Sequence, residues 1–316
     1  MLFALLAPAC HAIWSLAEAP TEFDADDDLG PRHDAPGQDW PVADRPVADQ
    51  PVADGAADPL GPFSSPRPVA AVNTEGVEED DVSLTQDMRE MYFERAGDIW
   101  WTTRPSINDP WGAPLPAKEL NSVAWDGMGK LSADGLTFYL TSARTDSGSQ
   151  GADEIYVSTR ADRALPWTSP TLVTELNSPG CDQCPYMVAS EQLIVFNSNR
   201  SGGHDLYQAT RSQGSAGWEA LTPIADVNGS GLDECPWIDV AFTVIYFTSD
   251  RAGGQGGRDL WVSTRNPSSG AFDPAVQVPA LNTSFEEADP WLSPDLKTIY
   301  FASTRNGDWD IFVATR

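Results

Sequence analysis

From about Phe63 to Arg316 the chain alternates short β-branched and aromatic runs with clusters of Gly, Asp, Pro and Ser. Apolar runs of four to seven residues bounded by such turn signals read as antiparallel strands. No stretch in this region carries a helical period. The grammar is plainest near the end. PWLSPD (Pro290 to Asp295) is an apolar run ending in a turn, TIYFAST (Thr298 to Thr304) a second strand, RNGDWD a loop and IFVAT (Ile311 to Thr315) a third strand. A closing arginine marks each unit, at Arg104, Arg160, Arg211, Arg265 and Arg316, with spacings of 56, 51, 54 and 51 residues. Units of about this length with four short strands indicate a β-propeller, here of five blades.

An aromatic followed nine residues later by an aliphatic-Asn pair recurs between the strand triplets. It stands at Trp111 to Leu120-Asn121, Trp167 to Leu176-Asn177, Trp218 to Val227-Asn228 and Phe272 to Leu281-Asn282. A fifth copy, Phe63 to Val72-Asn73, precedes all other parts of the repeat, and the last unit ends at Arg316 without one. An open array would leave uncovered apolar faces and unpaired strand edges at both ends. The segment PRPVAAVN (Pro66 to Asn73) is therefore expected to be the fourth strand of blade five, closing the ring. The fold class is all-β: a five-bladed propeller of four-stranded antiparallel blades.

The strings SPDLKTIYFASTR, TSDRAGGQGGRDLWVSTR and SNRSGGHDLYQATR resemble the WD40-like propeller repeats of the TolB type. The resemblance covers about 250 residues and all five units. It implies the propeller fold and a bacterial exported setting. It is much less specific for activity, since one fold hosts many functions. TolB resembles a six-bladed ring behind an N-terminal α/β domain, a layout this chain does not share, so TolB's partners are not carried over.

Composition divides the chain. Residues 1–17 form an export-signal or lipoprotein-like segment: the apolar run MLFALLAPA precedes Cys10, which is the candidate lipidation site. The run is too short to span a bilayer. Residues 18–62 hold DADDD and three copies of PVAD, starting at Pro41, Pro46 and Pro51. With twelve acids against two arginines over residues 1–62, this is read as an extended acidic linker. The propeller is residues 63–316. The whole chain has 47 acids against 19 bases, a net charge of −28. That excludes a nucleic-acid footprint and direct adsorption to anionic lipid. A membrane would be reached only through an N-terminal anchor.

One position is acidic in every unit: Glu79, Asp126, Asp182, Asp233 and Glu287, expected just before the innermost strand. Five arginines, Arg95, Arg144, Arg200, Arg251 and Arg305, follow the second strand and should face the same side. The five-carboxylate ring is thus read first as repeated ion pairing and second as a ligand or cation site. A further acid opens the third strand at Asp98, Glu154, Asp205, Asp259 and Asp310, where a carboxylate can cap turn N–H groups. No cofactor and no metal are expected. Ca²⁺ is the cation these loops would accommodate, although no EF-hand spacing is present.

Departures from the repeat mark the candidate ligand mouth: Trp125, Asp126, Tyr186, Trp237 and Trp291, with Glu78, Asp80, Asp81, Glu234 and Glu286 nearby. An aromatic mouth with few polar groups suits a ligand; packing between blades is the simpler role for the tryptophans. Cys181, Cys184 and Cys235 are candidates for a disulfide in an exported protein. Their pairing is open, and Cys184 with Cys235 is expected to be too far apart because the two are equivalent positions of different blades. A zinc set is not expected, since His204 sits in another loop, nor is a redox CxxC without βαβ context.

These features point to a monomeric, surface-tethered, non-catalytic propeller in the periplasm or at the cell surface, binding a protein, peptide or glycan. The alternative is a glycoside hydrolase using channel carboxylates. It is disfavoured on the ground that acids repeating with the blades share one environment, whereas that chemistry needs unlike ones. His204 alone cannot build a Ser-His-Asp set.

Overall fold

The computed structural model describes residues 58–188, 191–215 and 217–316. The export segment, Cys10 and the linker up to residue 57 lie outside the described residues. Twenty strands form five four-stranded antiparallel sheets, and no helix occurs among the described residues. The inner strands are Glu79–Leu84, Asp126–Leu131, Asp182–Met187, Asp233–Ile238 and Glu287–Leu292. Four blades are contiguous in sequence. The fifth takes three strands from the C-terminal end and its outer strand, Arg67–Pro68, from the N-terminal side.

Closure rests on that outer strand. Arg67 pairs with Val313 and Pro68 with Phe312. Asn73 then explains the aliphatic-Asn motif: its Nδ2 donates to the Ile311 carbonyl and its Oδ1 accepts from the Ile311 N–H, both at 3.0 Å. The same two-way clasp joins Asn121 to Ile99, Asn177 to Ile155, Asn228 to Leu206 and Asn282 to Leu260. In four blades the clasp ties consecutive parts of the chain; in the fifth it spans the whole ring. The aromatic of the motif has a partner too. The closing arginines lie over it, Arg104 on Trp111, Arg160 on Trp167, Arg211 on Trp218, Arg265 on Phe272 and Arg316 on Phe63, at 4.1 to 4.7 Å from the ring centroid. Cation–π contacts of this kind stabilise by about 0.5–2 kcal/mol each.

The docked chain begins before Phe63. Asp58 is buried and accepts from the Tyr246 hydroxyl at 2.7 Å and from Arg316 at 2.9 Å. The last five residues of the segment read as linker therefore belong to the folded ring, because a carboxylate at 58 meets a cation and a phenol there.

Side chains on the two faces of each sheet fill the space between blades. One cluster joins blades four, five and one through Trp237, Tyr246, Trp291, Phe301, Phe93 and Phe312. Each such side chain, fully buried, contributes about 1.5–3 kcal/mol. A polar staple ties blades one and two: Glu90 accepts from Arg160 at 2.7 Å and from Arg163 at 3.0 Å.

Asn73→Ala should cost about 1–3 kcal/mol, since it orphans the N–H of Ile311 and leaves its C=O with the Val69 N–H alone, and Asn121→Ala should cost a similar amount. Urea unfolding of both variants measures this. Removing residues 58–73 should yield aggregated protein on size exclusion; a folded monomer would show that the ring does not need its closing strand.

Candidate functional site

Each inner strand carries the same irregularity. Its register with the second strand shifts between the second and fifth residues. The third residue sits in the left-handed region: Asp81 (φ 53°), Met128 (48°), Cys184 (50°), Cys235 (46°) and Asp289 (55°). A bulge re-aims its side chain, and here all five are turned toward the axis. The strain, of order 1–3 kcal/mol for each such residue, is repeated five times and forms a belt at the waist of the channel.

Above the belt, where the inner strands start, lies the carboxylate ring. Glu79 binds Arg95 at 2.8 Å, Asp182 binds Arg200 at 2.5 Å and Glu287 binds Arg305 at 3.0 Å; Asp126 pairs with Arg144 and Asp233 with Arg251. Each arginine also donates to the carbonyl of the aliphatic residue in the clasp motif, Val72, Leu120, Leu176, Val227 or Leu281. All five ring acids are thus engaged by the scaffold.

A different set of acids breaks the symmetry. Asp80 and Glu94 are directly opposite on neighbouring strands of blade one. The same position holds Gly127 with Thr141, Gln183 with Asn197, Glu234 with Thr248 and Ala288 with Ala302 in the other blades. Like charges facing each other across a ladder repel. Burial, then the repulsion of Asp81, pushes Glu94 up to about 8 despite the N–H of Gly97 donating to it at 2.6 Å. Burial first, then Glu94, Asp81 and Asp289, holds Asp80 well above the usual carboxylate range. At the belt, burial and the facing carboxylate raise Asp289, and burial raises Asp81 although Lys130 draws it down. Glu234 goes the other way. Burial would raise it, but His204 at 2.9 Å and Arg258 at 3.4 Å bring it below its ordinary value.

The five residues of the expected mouth divide between the two ends of the inner strands. Asp126 opens its strand, and Trp125 folds over Gly127 on the upper side, packing against Met128, Cys184 and Cys235. A Cβ on Gly127 would meet the Trp125 ring at 2.5 Å, so only glycine permits this lid. Tyr186, Trp237 and Trp291 come together at the other end. There an axial pocket open to solvent takes one wall residue from the end of every inner strand: Leu84, Leu131, Met187, Ile238 and Leu292. Gln86 and Asp239 add polar groups. Trp237 Nε1 is buried and leans toward the Tyr186 hydroxyl without completing a hydrogen bond.

Cys184 and Cys235, 51 positions apart in sequence, form a disulfide with Cα atoms 4.8 Å apart. The expectation that equivalent positions lie too far apart is corrected: both are bulge residues, and the bulge carries them from the blade toward the axis, where neighbouring blades meet. Cys181 is not free either.

No family model and no curated protein matches the sequence. Solved structures do. A TolB-like protein described as putative TolB from Agrobacterium tumefaciens is 17% identical with a TM-score of 0.49, over 77% of this chain and 79% of that one. The α-L-arabinofuranosidase of Lactobacillus brevis is 11% identical with a TM-score of 0.51, over 76% of this chain and 90% of that one. The GH43 endo-arabinanase of Bacillus licheniformis is 12% identical with a TM-score of 0.51, over 76% and 94%. The ring is one that glycosidases share. The expectation of a non-enzyme is corrected on that finding. Its premise of one environment for all channel acids also fails, because Asp80, Asp81, Glu94 and Asp289 stand outside the ion-paired ring.

Glu94 has a folded-state pKa above its unfolded one, so the folded state holds the extra proton. Its contribution to stability is fully present below about 4.5 and is lost as pH rises toward about 8. Glu94→Gln should therefore raise the melting temperature at pH 8 and flatten the decline between those values. Thermal melts across that range check it, and an unchanged slope would place the buried proton elsewhere.

Proposed function

We propose that the protein is an exported, envelope-tethered propeller that binds an extended protein, peptide or glycan segment end-on in the axial pocket. The observation that carries this reading is the pocket itself. In it all five blades contribute to a concave surface, with three large aromatics and an indole N–H left without an acceptor. Buried donors normally have partners, and a ligand carbonyl or hydroxyl would supply one. Aromatic faces suit the apolar faces of sugar rings and of proline or aromatic side chains. The apolar N-terminal run and the acidic linker support export and tethering.

Peptide and glycan arrays, followed by calorimetry on the hits, test the reading. Trp291→Ala should weaken binding at least about 30-fold, as for a buried aromatic anchor. Trp237→Phe, which keeps the apolar ring and removes the N–H, should weaken it roughly 3- to 10-fold. Hits that bind both variants as well as the parent would sink the pocket assignment.

A second reading, glycoside cleavage, is favoured by the facing pair Asp80 and Glu94 in a ring shared with glycosidases. That chemistry needs one carboxyl protonated and one ionised, the state a facing pair reaches when it holds a single proton between its members. Wild-type protein should then release nitrophenol from an aryl arabinoside or xyloside, and Asp80→Asn or Glu94→Gln should abolish release. A silent wild type across such a panel removes this reading.

A further inference from the structure

We propose that the belt residues Asp81, Cys184, Cys235 and Asp289 form a binding site for a thiophilic divalent cation such as zinc, filled when the two cysteines are thiols, and that the disulfide is its metal-free form. This does not rest on the axial pocket or on glycoside cleavage.

The donor atoms of these four side chains, from four different blades, all lie within 4.8 Å of one another. A tetrahedral zinc with oxygens at about 2.0 Å and sulfurs at about 2.3 Å places its ligands roughly 3.3–3.8 Å apart. The belt therefore needs only small side-chain adjustments to surround an ion. Two thiolates and two carboxylates make a donor set for a borderline-soft cation.

A second, independent observation points to a ligand. Both carboxylate oxygens of Asp289 and the Oδ1 of Asp81 accept no hydrogen bond, although the residues are 0% and 2% exposed. Buried carboxylate oxygens are ordinarily partnered; Lys130 attracts both groups, yet its ammonium donates to the Val82 carbonyl at 3.3 Å, so the facing oxygens have room for a bound cation or a shared proton. The surroundings are those of an outer shell. The N–H of Met128 donates to the other oxygen of Asp81 at 2.9 Å, the Cys184 N–H to Thr141 Oγ1 at 3.2 Å and the Asp289 N–H to Thr248 Oγ1 at 3.1 Å. These bonds hold the bulges, and so fix where the ligand side chains start.

Reduction breaks the sulfur–sulfur bond. A small dithiol supplies two electrons and two protons, becomes a disulfide itself and leaves Cys184 and Cys235 as thiols. Zinc then forms two Zn–S bonds and two Zn–O bonds. One proton leaves each thiol, together with any proton held between the carboxyls. The site is enclosed by Trp125 on one side and the inner end of the axial pocket on the other, so exchange is slow and loading occurs while the thiols are open.

The test uses the full chain reduced with dithiothreitol, dialysed against zinc, and compared with the oxidised chain by elemental analysis. One zinc per reduced chain and none per oxidised chain is expected. Cobalt in place of zinc should give the sulfur-to-metal charge-transfer absorption and the intense visible bands of a tetrahedral thiolate site. Cys184→Ser should remove the charge-transfer band or halve it, Asp289→Asn should weaken metal binding at least 10-fold, and Cys181→Ser should leave both unchanged. If reduction unfolds the chain, zinc should restore its circular dichroism and melting transition as reoxidation does. A reduced, folded chain without zinc overturns the proposal. So does a reduced, unfolded chain rescued only by oxidation, or equal metal content in the oxidised form.

Discussion

Ring closure is the constraint on which every other feature depends. Asn73 and Ile311 are 238 residues apart, yet they make the same two-way backbone clasp that joins residues 22 apart in the other blades. Without it, the seam between blade five, which carries Trp291 and Phe301, and blade one would keep its side-chain packing and the Glu79 N–H to Trp309 carbonyl bond but lose the docked outer strand that ties the two ends of the ring together. Phe63 beneath Arg316 and Asp58 between Arg316 and Tyr246 reinforce the same joint. The seam copies the interior of the repeat, so the closed ring has no weak edge of its own design.

Around that ring, symmetry separates scaffold from site. What is repeated five times is structural: the acid–arginine pairs at the top of the channel, the arginine–aromatic stacks, the asparagine clasps and the bulge. The arginine of each ring pair illustrates the economy, since one guanidinium holds the start of the inner strand and the carbonyl that ends the preceding clasp. What the bulge carries is not repeated. Asp, Met, Cys, Cys and Asp occupy one geometric position, and a uniform backbone delivers five side chains of three kinds to one small volume. A symmetric scaffold thus creates an asymmetric channel, with acids concentrated where blades one and five meet and a disulfide where blades three and four meet.

Much of the frame was legible from residue patterns. The five-unit period, the strand runs and the supply of the last outer strand by Pro66 to Asn73 all follow from local composition and spacing, because turn residues and β-branched runs act over a few positions. The pairing of the five ring acids with the five arginines was legible for the same reason: both recur at fixed offsets. The channel was not. Asp80 stood out only as one of several acids near the expected mouth and Glu94 not at all, and only their register shows them facing each other. A signal was available in the repeat alignment, since blade one alone has acids at both positions. The Cys184–Cys235 bond was misjudged because equivalent residues on ideal blades diverge, and the left-handed turn that brings them together has no glycine or Asn-Gly signature to announce it.

The sequence by itself determined the architecture, the blade count and the route of closure, because these depend on periodicity and on which strands lack partners. Only the tertiary structure decided which acids are neutralised, which face each other, which end of the channel the tryptophans line and which cysteines meet. Those outcomes depend on distances of a few ångströms between residues dozens to hundreds of positions apart, and such distances are set by the bulge and the ring together rather than by any local run of the chain.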